Sequence, residues 1–390
     1  MPILFATILL DLIGFGIVIP ILPFMAPQLG ADKLDIALLI VVYAAAAGVC
    51  GPFWGRLSDR LGRKPVLIIC LSGGALSYVG LALATELWMI YLARTFAGLA
   101  AGNFGVATAM IADITTPANR AKGMGMLGAA FGLGMVLGPV LGGTLAGSDG
   151  SFMLPCIVAG TMSVAAIIAA LFFLPESHGP QQRADHRAHH GSQPTLSLLA
   201  MLTENGNRLL VLQFSMHTAC VTAITYLLPL WVGDLLGWGA REVGIIFGAQ
   251  GLMMAILQGL LVGPLSQWMG ELRFLRTGVC IMLVGLIMAI FATTTVPMIA
   301  AFLIAATGGT FTMPILNSIA TKRTPAMLRG RMMGTTSSAG SWGRVVGPLV
   351  AGAGLYFYGY PQAWVLCVVM ALCLVFWAFF LVPDLSLTKK

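Results

Sequence analysis

Three charged side chains lie within apolar stretches long enough to be buried in a lipid bilayer: Asp11, Arg94 and Arg344. A charge inside the bilayer costs about 3 kcal/mol or more on insertion scales, so these residues are functional candidates. Asp11 can load and unload a proton, and we predict that it is the proton carrier; a permanently ionised or hydrogen-bonded structural aspartate is the alternative. Arg94 could be its counter-charge, or could bridge two helices.

A second group of polar residues could line a cavity for a solute. Gln213 and His217 are four residues apart and therefore share one helix face, although a lone histidine among apolar neighbours can also be a packing residue. Arg344 could bind an anionic group or pair with a structural partner. Gln250 and Asn317 complete the predicted cavity, but amides also join helices to each other.

A short polar segment, Gly55 to Lys64, surrounds one acid, Asp59, with four cations and contains glycines that allow a tight turn. We predict that Arg63 in this segment reaches Asp113, and that the contact forms in one conformer and breaks in another. The predicted gating residues are Gly55, Asp59, Arg60, Gly62, Arg63 and Asp113.

The elements that position these residues are membrane helices. The chain has 390 residues, of which 58% are hydrophobic and only 9% charged, with a mean hydropathy of +0.93. So much apolar surface exceeds what one soluble core can bury, and a span needs about 20 apolar residues. Twelve spans are predicted, near 3–25, 36–57, 65–84, 87–113, 121–146, 152–175, 207–233, 241–266, 272–293, 296–320, 328–356 and 361–383.

The cations indicate the orientation of these spans, because Lys and Arg in short loops stay on the cytoplasmic side. If both termini are cytoplasmic, most of the 21 Lys and Arg residues fall in inner loops, and the outer loops keep only Lys33 and Arg241. The net charge of +7 is therefore explained by membrane orientation. No nucleic-acid partner is predicted, since no soluble basic domain is present.

Neither a metal site nor a catalytic centre is predicted. The seven cysteines lie in apolar segments without CxxC spacing, and the linker histidines His186, His189 and His190 have no rigid fourth ligand nearby. The spans contain no H-E-x-x-H or G-x-S-x-G pattern, and no phosphate-binding G-x-x-x-x-G-K-[ST] loop occurs. We expect a protein that is not an enzyme and needs no cofactor, with a proton gradient as its energy source.

The chain is divided into two halves by its one long polar stretch. We predict an N-terminal six-helix bundle over 1–175, a cytoplasmic linker over 176–206 and a C-terminal six-helix bundle over 207–390. An offset of 208 or 209 residues aligns three pairs of segments: 55–62 with 263–270, 116–118 with 324–326, and 138–139 with 347–348. Parallel repeats of this kind hold a solute midway between halves that rock about it.

The fifth predicted span is rich in glycine. Its members Gly134, Gly138, Pro139, Gly142 and Gly143 thin one helix face and bend the helix near the proline. Close helix packing explains this pattern as well as a transport role does.

Together these segments resemble the major facilitator superfamily, and more narrowly its twelve-span drug:proton antiporters, with bacterial tetracycline efflux pumps as the nearest group. The resemblance covers nearly the whole chain. The matching segments are the signature loop 55–64, the fourth-span motif 94–98, the fifth-span antiporter motif 133–143, the first-span segments 10–11 and 14–23, and the fourth-span end 111–115.

The resemblance implies an all-α membrane protein with twelve transmembrane helices in two pseudo-symmetric six-helix bundles. It implies efflux of a small hydrophobic or amphipathic drug-like compound by alternating access, with Asp11 and Arg94 in proton coupling and resistance to the drug as the outcome. The expected setting is the bacterial inner membrane, with a monomer whose partners are the solute, protons and the lipid bilayer. The alternative is a uniporter or symporter of a metabolite or lipid-like anion, which Arg344 would serve.

Overall fold

The computed structural model describes residues 1–116, 119–146, 151–177, 207–324 and 329–381, and every regular element in these ranges is helical. The predicted linker lies almost entirely outside them, as do its three histidines. The helices are α1 Pro2–Gln28, α2 Lys33–Leu61, α3 Arg63–Ala82, α4 Leu87–Leu99, α5 Asn103–Ile114, α6 Arg120–Leu145, α7 Met153–Phe173, α8 Asn207–Leu236, α9 Ala240–Ile256, α10 Val262–Met269, α11 Glu271–Phe291, α12 Thr295–Arg323, α13 Arg329–Tyr358 and α14 Tyr360–Phe376. Two π-helical segments, Leu257–Leu261 and Trp377–Leu381, follow α9 and α14.

Eleven helical segments in the described ranges are long and apolar enough to cross a membrane. The remaining predicted span, 328–356, corresponds to α13, which has 30 residues but is rich in glycine, serine and arginine and is not among the eleven. Two predicted single helices are interrupted: span 87–113 consists of α4 and α5, and span 241–266 consists of α9 and α10 joined by the first π segment. Hydropathy averages over such breaks, so the sequence did not reveal them.

Large apolar side chains are exposed along these helices. Trp268 is 82% exposed, Phe172 77% and Phe291 76%. Water would penalise a surface of this kind, whereas lipid tails would not. The exposed surface therefore fits a protein solvated by a bilayer.

The chain folds into two compact units. Unit 1 contains the described residues of Met1–Ala31, Val42–Thr195 and Gly239–Leu252, and unit 2 those of Asp32–Val41, Leu196–Trp238 and Met253–Lys390. Each unit thus includes one short segment from the other half of the sequence. The three domains inferred from the sequence remain a prediction.

The same helix pairing recurs in the two units. In unit 1, α1 packs along α6 and α3 along α7; in unit 2, α8 packs along α13 and α11 along α14. The core of unit 1 includes Leu4 and Ile8 of α1 with Leu67 of α3 and Met110 of α5, each no more than 1% exposed. This packing fixes the face of α1 that carries Asp11.

Candidate functional site

Asp11 is buried in the middle of unit 1, with 7% of its surface exposed. Asn103, the first residue of α5, donates a hydrogen bond from Nδ2 to Asp11 Oδ2. A carboxylate away from water needs a cation, several donors or a proton to neutralise it. In the described part of the chain no cation forms an ion pair with Asp11, so its polar contact is a neutral amide.

The interruption of the fourth span is what brings Asn103 to this place. Helix α4 ends at Leu99, and α5 begins at Asn103 after a turn. Trp54 of α2 stabilises the turn by donating from Nε1 to the freed Leu99 carbonyl at 2.6 Å. A Cβ atom at Gly102 would lie 2.6 Å from Trp54 Cβ, so a glycine is required there. Asn103 was missed in the sequence because only the break orients it.

Arg94 is also buried in unit 1, with 6% exposure, and no ion pair joins it to Asp11 among the described residues, so its role as counter-charge stays a prediction. Its guanidinium carbon lies 4.4 Å from the centre of the Tyr43 ring, which is a cation–π contact. Arg94 Nε has no hydrogen-bond partner. Tyr78 lies within electrostatic range of both Asp11 and Arg94. Unit 1 therefore buries both the acid and the cation, and no ion pair joins them among the described residues.

Three glycines of α6 allow its backbone to touch α1. A Cβ atom at Gly134 would lie 2.6 Å from Leu12 Cβ, and one at Gly138 would lie 2.7 Å from the carbonyl oxygen of Ile13. A Cβ atom at Gly142 would overlap the backbone of Ile17 in the same way. The four-residue spacing is the small-residue pattern of close helix pairs.

The other two residues of the motif face α9. A Cβ atom at Gly143 would lie 2.5 Å from the Ala240 carbonyl oxygen, and Gly244 packs against the Pro139 carbonyl. Helix α6 thus offers small residues on two faces, to α1 and to the start of α9. The predicted thin face is present, and it serves helix packing.

Equivalent packing in unit 2 identifies the counterpart of Asp11. Gly138 packs on the carbonyl of Ile13, and its repeat partner Gly347 packs on the carbonyl of Ala219. Ala219 lies 206 positions after Ile13, and His217 lies 206 positions after Asp11. His217 on α8 therefore stands where Asp11 stands on α1.

The surroundings of His217 differ from those of Asp11. Gly309 of α12 lies beside the imidazole, where a Cβ atom would lie 3.9 Å from His217 Cε1 and 3.1 Å from Val221 Cγ2. His217 is 4% exposed and Gln213 is 5% exposed. His217 Nδ1 and Gln213 Oε1 are both buried without a hydrogen-bond partner. Such groups cost about 1–3 kcal/mol each while unpaired, which a polar ligand can recover.

The remaining cavity candidates are less buried than His217 and Gln213. Gln250 of unit 1 and Asn317 of unit 2 are half-buried. Arg344 on α13 is exposed, and its Nη2 donates to Ser341 Oγ at 2.9 Å. The Arg344 side chain is therefore accessible from outside the protein.

Arg63 at the start of α3 is the centre of a charged group that we call the Arg63 cluster, consisting of Ser58, Asp59, Arg63, Asp113 and Glu176. Arg63 is 7% exposed. Its Nε lies 2.9 Å from Asp113 Oδ2, and its Nη1 lies 2.7 Å from Asp59 Oδ1 and from Ser58 Oγ. The predicted contact between Arg63 and Asp113 is confirmed, while its gating role stays a prediction.

Glu176 completes the cluster and was not anticipated. The backbone N–H groups of Arg63 and Lys64 donate to Glu176 Oε1 at 2.9 Å and Oε2 at 3.2 Å. The N-terminus of a helix carries a partial positive charge, so a cation at this end is unfavourable. A carboxylate at the same end is favourable and compensates for the cation. Glu176 is 113 residues from Arg63, and by sequence it is the first residue of the predicted linker.

The turn before α3 needs glycine. Gly62 has a φ of 110°, and Gly270, its repeat partner before α11, has a φ of 81°. Both angles are in the left-handed region that favours glycine. Arg60 is exposed, and a Cβ atom at Gly55 would meet open space. Among the described residues, the fold therefore shows no contact that requires arginine at position 60 or glycine at position 55.

Unit 2 contains a pair of opposite polarity, the Glu271 pair. Glu271 is the first residue of α11, as Arg63 is of α3, and its Oε2 lies 2.8 Å from Lys322 Nζ at the end of α12. Ser318 also donates to Glu271 Oε1, at 2.6 Å. The acid itself occupies the helix N-terminus here, so no equivalent of Glu176 is required.

A further polar group, the Lys33 cluster, lies in unit 2 and was missed in the sequence. Lys33 Nζ lies 2.6 Å from Asp234 Oδ2 and 5.0 Å from the centre of the Tyr360 ring. Tyr360 donates to Asp234 Oδ2 at 2.8 Å, and Tyr226 donates to the Lys33 carbonyl at 2.6 Å. The start of α2 is thereby attached to α8 and α14.

The described residues contain no group of three or more His, Cys, Asp or Glu side chains that could hold a metal ion. The histidines discussed as a weak metal site in the linker lie outside these residues.

Comparisons with known proteins agree with this architecture. The family model described as Major Facilitator Superfamily matches residues 4–348 and, separately, 211–390. The class E tetracycline resistance protein of Escherichia coli is 32% identical over 350 residues, which cover 88% of this chain and 84% of the relative. The class B protein of Escherichia coli is 29% identical over 398 residues, covering 98% and 96%.

Among solved structures, the human organic anion transporter MFSD10 superposes with a TM-score of 0.73 at 22% identity. The superposition covers 97% of this chain and 98% of that chain. At this identity the likeness concerns the fold.

Proposed function

We propose, since the chain belongs to the Major Facilitator Superfamily of membrane transporters, that it exports a small hydrophobic or amphipathic compound in exchange for protons. That it is a membrane transporter and not an enzyme, as predicted, follows from the family and from relatives named for tetracycline resistance. The coupling ion, the direction and the solute class are the proposed part.

The observation that carries the proposal is the environment of Asp11. Its polar contact is the neutral amide of Asn103, and no cation among the described residues forms an ion pair with it. A proton is then the available means of removing its charge inside the bilayer. Asp11 would bind a proton in one conformer and release it in the other. Arg94, held over Tyr43, would tune this exchange through its field rather than by contact.

The solute would meet a different surface. His217 Nδ1 and Gln213 Oε1 are buried without hydrogen-bond partners on one face of α8. A compound with a polar edge and an apolar body would pair with these atoms and bury the rest of its surface. That Gln250 and Asn317 also contact the solute stays a prediction from the sequence.

The Arg63 cluster and the Glu271 pair are suited to a gate. Ion pairs at the start of a helix can form in one conformer and separate in another. Alternating access would then switch the Arg63 cluster between joined and separated states. The Lys33 cluster offers contacts of the same kind at the start of α2.

The proposed setting is the bacterial inner membrane, with both termini cytoplasmic. The protein would act as a monomer without a cofactor, driven by the proton gradient.

Reconstitution in liposomes that contain a pH-sensitive dye tests the proposal. A proton gradient is imposed, and lipophilic cations, tetracyclines and amphipathic anions are screened for solute-triggered proton movement. We expect the native protein to respond, and Asp11→Asn to lose the response while remaining folded, because asparagine keeps the shape but cannot carry the proton. Glu86→Gln is the matched control, since Glu86 is an exposed carboxylate with no capping hydrogen bond. Full coupling in Asp11→Asn would refute the proton role.

A second candidate is favoured by Arg344. Its exposed guanidinium suits uniport or symport of an anionic metabolite or lipid-like anion. In the same liposomes, solute flux that ignores the pH gradient and disappears in Arg344→Gln would favour this function over proton exchange.

A further inference from the structure

A groove of about 490 Å³ follows one face of α11 in unit 2. Arg273, Arg276, Cys280 and Val284 line it at intervals of three or four residues, which is one stripe of a helix. Ile304 of α12 and Phe379 of the second π segment form its other walls. The groove is separate from Asp11, from His217 and from the Arg63 cluster.

The two arginines stand at one end of this groove. Arg276 forms hydrogen bonds within the protein: its Nε donates to the Ala378 carbonyl at 3.1 Å, and its Nη2 donates to the Phe379 carbonyl at 3.3 Å. Its guanidinium also lies 5.0 Å from the centre of the Phe379 ring. Arg273 is exposed, and its side chain makes no ion pair or hydrogen bond within the described ranges. One cation therefore holds the groove wall while the other remains available.

The remainder of the groove is apolar. Arg273 and Val284 are 11 residues apart, which corresponds to about 16 Å along the helix. This is about half the thickness of a hydrocarbon core of about 30 Å. Arg273 is the third residue of α11, so the charged end of the groove is at the end of the span and the apolar part runs towards the middle.

We propose that this groove binds an anionic glycerophospholipid. The phosphate of the headgroup contacts Arg273, with any remaining Arg276 donors, and one acyl chain lies along Cys280, Val284 and Ile304. Basic pockets between membrane helices recognise such headgroups. A neutral lipid would leave Arg273 uncompensated, and a free phosphate ion would leave the apolar groove unfilled. Charge and shape together thus select a lipid with a negative headgroup.

Native mass spectrometry of the detergent-purified protein measures this binding directly. Phosphatidylglycerol and phosphatidylcholine with identical acyl chains are added at equal concentrations. We expect preferential retention of phosphatidylglycerol, and Arg273→Gln to reduce it about fivefold, the loss expected for one cation near an anionic surface. Arg208→Gln is the matched control, because Arg208 is an exposed cation at the start of α8 that does not line the groove. Arg208→Gln should retain the lipid as the native protein does.

A second variant tests the apolar part without changing charge. Cys280→Trp would fill the groove and displace the acyl chain, whereas Leu372→Trp adds the same side chain at an exposed position of α14 outside it. Thermal unfolding and size-exclusion profiles verify that the variants are folded. Equal retention of the two lipids would overturn the proposal. So would unchanged retention in folded Arg273→Gln and Cys280→Trp, or displacement of the lipid by inorganic phosphate alone.

Discussion

Asp11 and His217 occupy equivalent positions on α1 and α8 but meet different neighbours. Asn103 donates a hydrogen bond to Asp11, while His217 Nδ1 is buried without a hydrogen-bond partner. The first position is thereby equipped to hold a charge or a proton, and the second to receive a hydrogen bond from outside the protein. In the proposed function, the position on α1 would handle the proton and the equivalent position on α8 would handle the solute.

Replacing His217 by leucine should weaken solute binding, because it removes a buried polar atom that the solute pairs with. We expect a loss of about 1–3 kcal/mol in binding free energy, measured as the solute dissociation constant by fluorescence or calorimetry. Proton movement in the absence of solute should not change. Ser266→Ala, a change at a half-buried serine on α10 outside the cavity, is the control. Unaltered affinity in folded His217→Leu would remove this residue from the solute site.

At the scale of helices, close packing by glycine is the feature on which α1 and α6 depend. A methyl group at Gly138 would meet the α1 backbone at Ile13 and Gly16, and neither atom can yield as a flexible side chain can. We expect Gly138→Ala to destabilise the protein by about 1–3 kcal/mol, the usual cost of overpacking. Thermal unfolding in detergent measures the loss.

Gly128 provides the control on the same helix, since it is exposed and a Cβ atom there meets open space. Gly128→Ala should leave the unfolding temperature unchanged or raise it, because alanine favours the helix. Equal unfolding temperatures for Gly138→Ala and Gly128→Ala would show that the helices can separate to accept a methyl group.

The Arg63 cluster and the Glu271 pair should contribute differently to the free energy of unfolding. Arg63→Gln leaves Asp59 and Asp113 without their cation in a largely buried place, and we expect a loss on the order of 3 kcal/mol. Lys322→Gln removes a side chain that is 59% exposed, so solvent screens the pair and the loss should be about 0.5 kcal/mol. Unfolding temperatures of the two variants, measured in one detergent, give the comparison. Similar losses would contradict the assigned difference in burial.

At the scale of the whole molecule, orientation can be tested by accessibility. We expect cysteine at position 86 to react with an impermeant maleimide in intact cells, and cysteine at position 60 to react only after permeabilisation. Both residues are exposed, and a background without the seven native cysteines gives each label one target. Detergent-solubilised protein, in which both positions should react, is the control. The reverse pattern would place the termini outside.

The helical architecture could be predicted from the sequence because hydropathy and loop charge report on segments of about 20 residues. The contact of Arg63 with Asp113 was predictable for a related reason, as both residues flank the ends of neighbouring spans. Asn103 was not, because the turn after Leu99 that orients it lies within a stretch that is apolar enough to be counted as one span.

Two other failures concern direction and distance. The sequence gives the depth of Arg94 in its helix but not the ring it faces, so its contact with Tyr43 could not be foreseen. Glu176 reaches Arg63 across 113 residues, and no local pattern marks such a contact.

The opposite polarity of the Arg63 cluster and the Glu271 pair affects how the chain assembles as it enters the membrane. Helices that descend from one duplicated ancestor are similar enough to dock on each other's partners. If α11 docked where α3 belongs, Glu271 would face Asp113; in the reverse exchange, Arg63 would face Lys322. Like charges would meet in both cases, and their repulsion would reject the misassembled bundle. The opposite polarity of the two groups would therefore disfavour an exchange of α3 and α11 during membrane insertion.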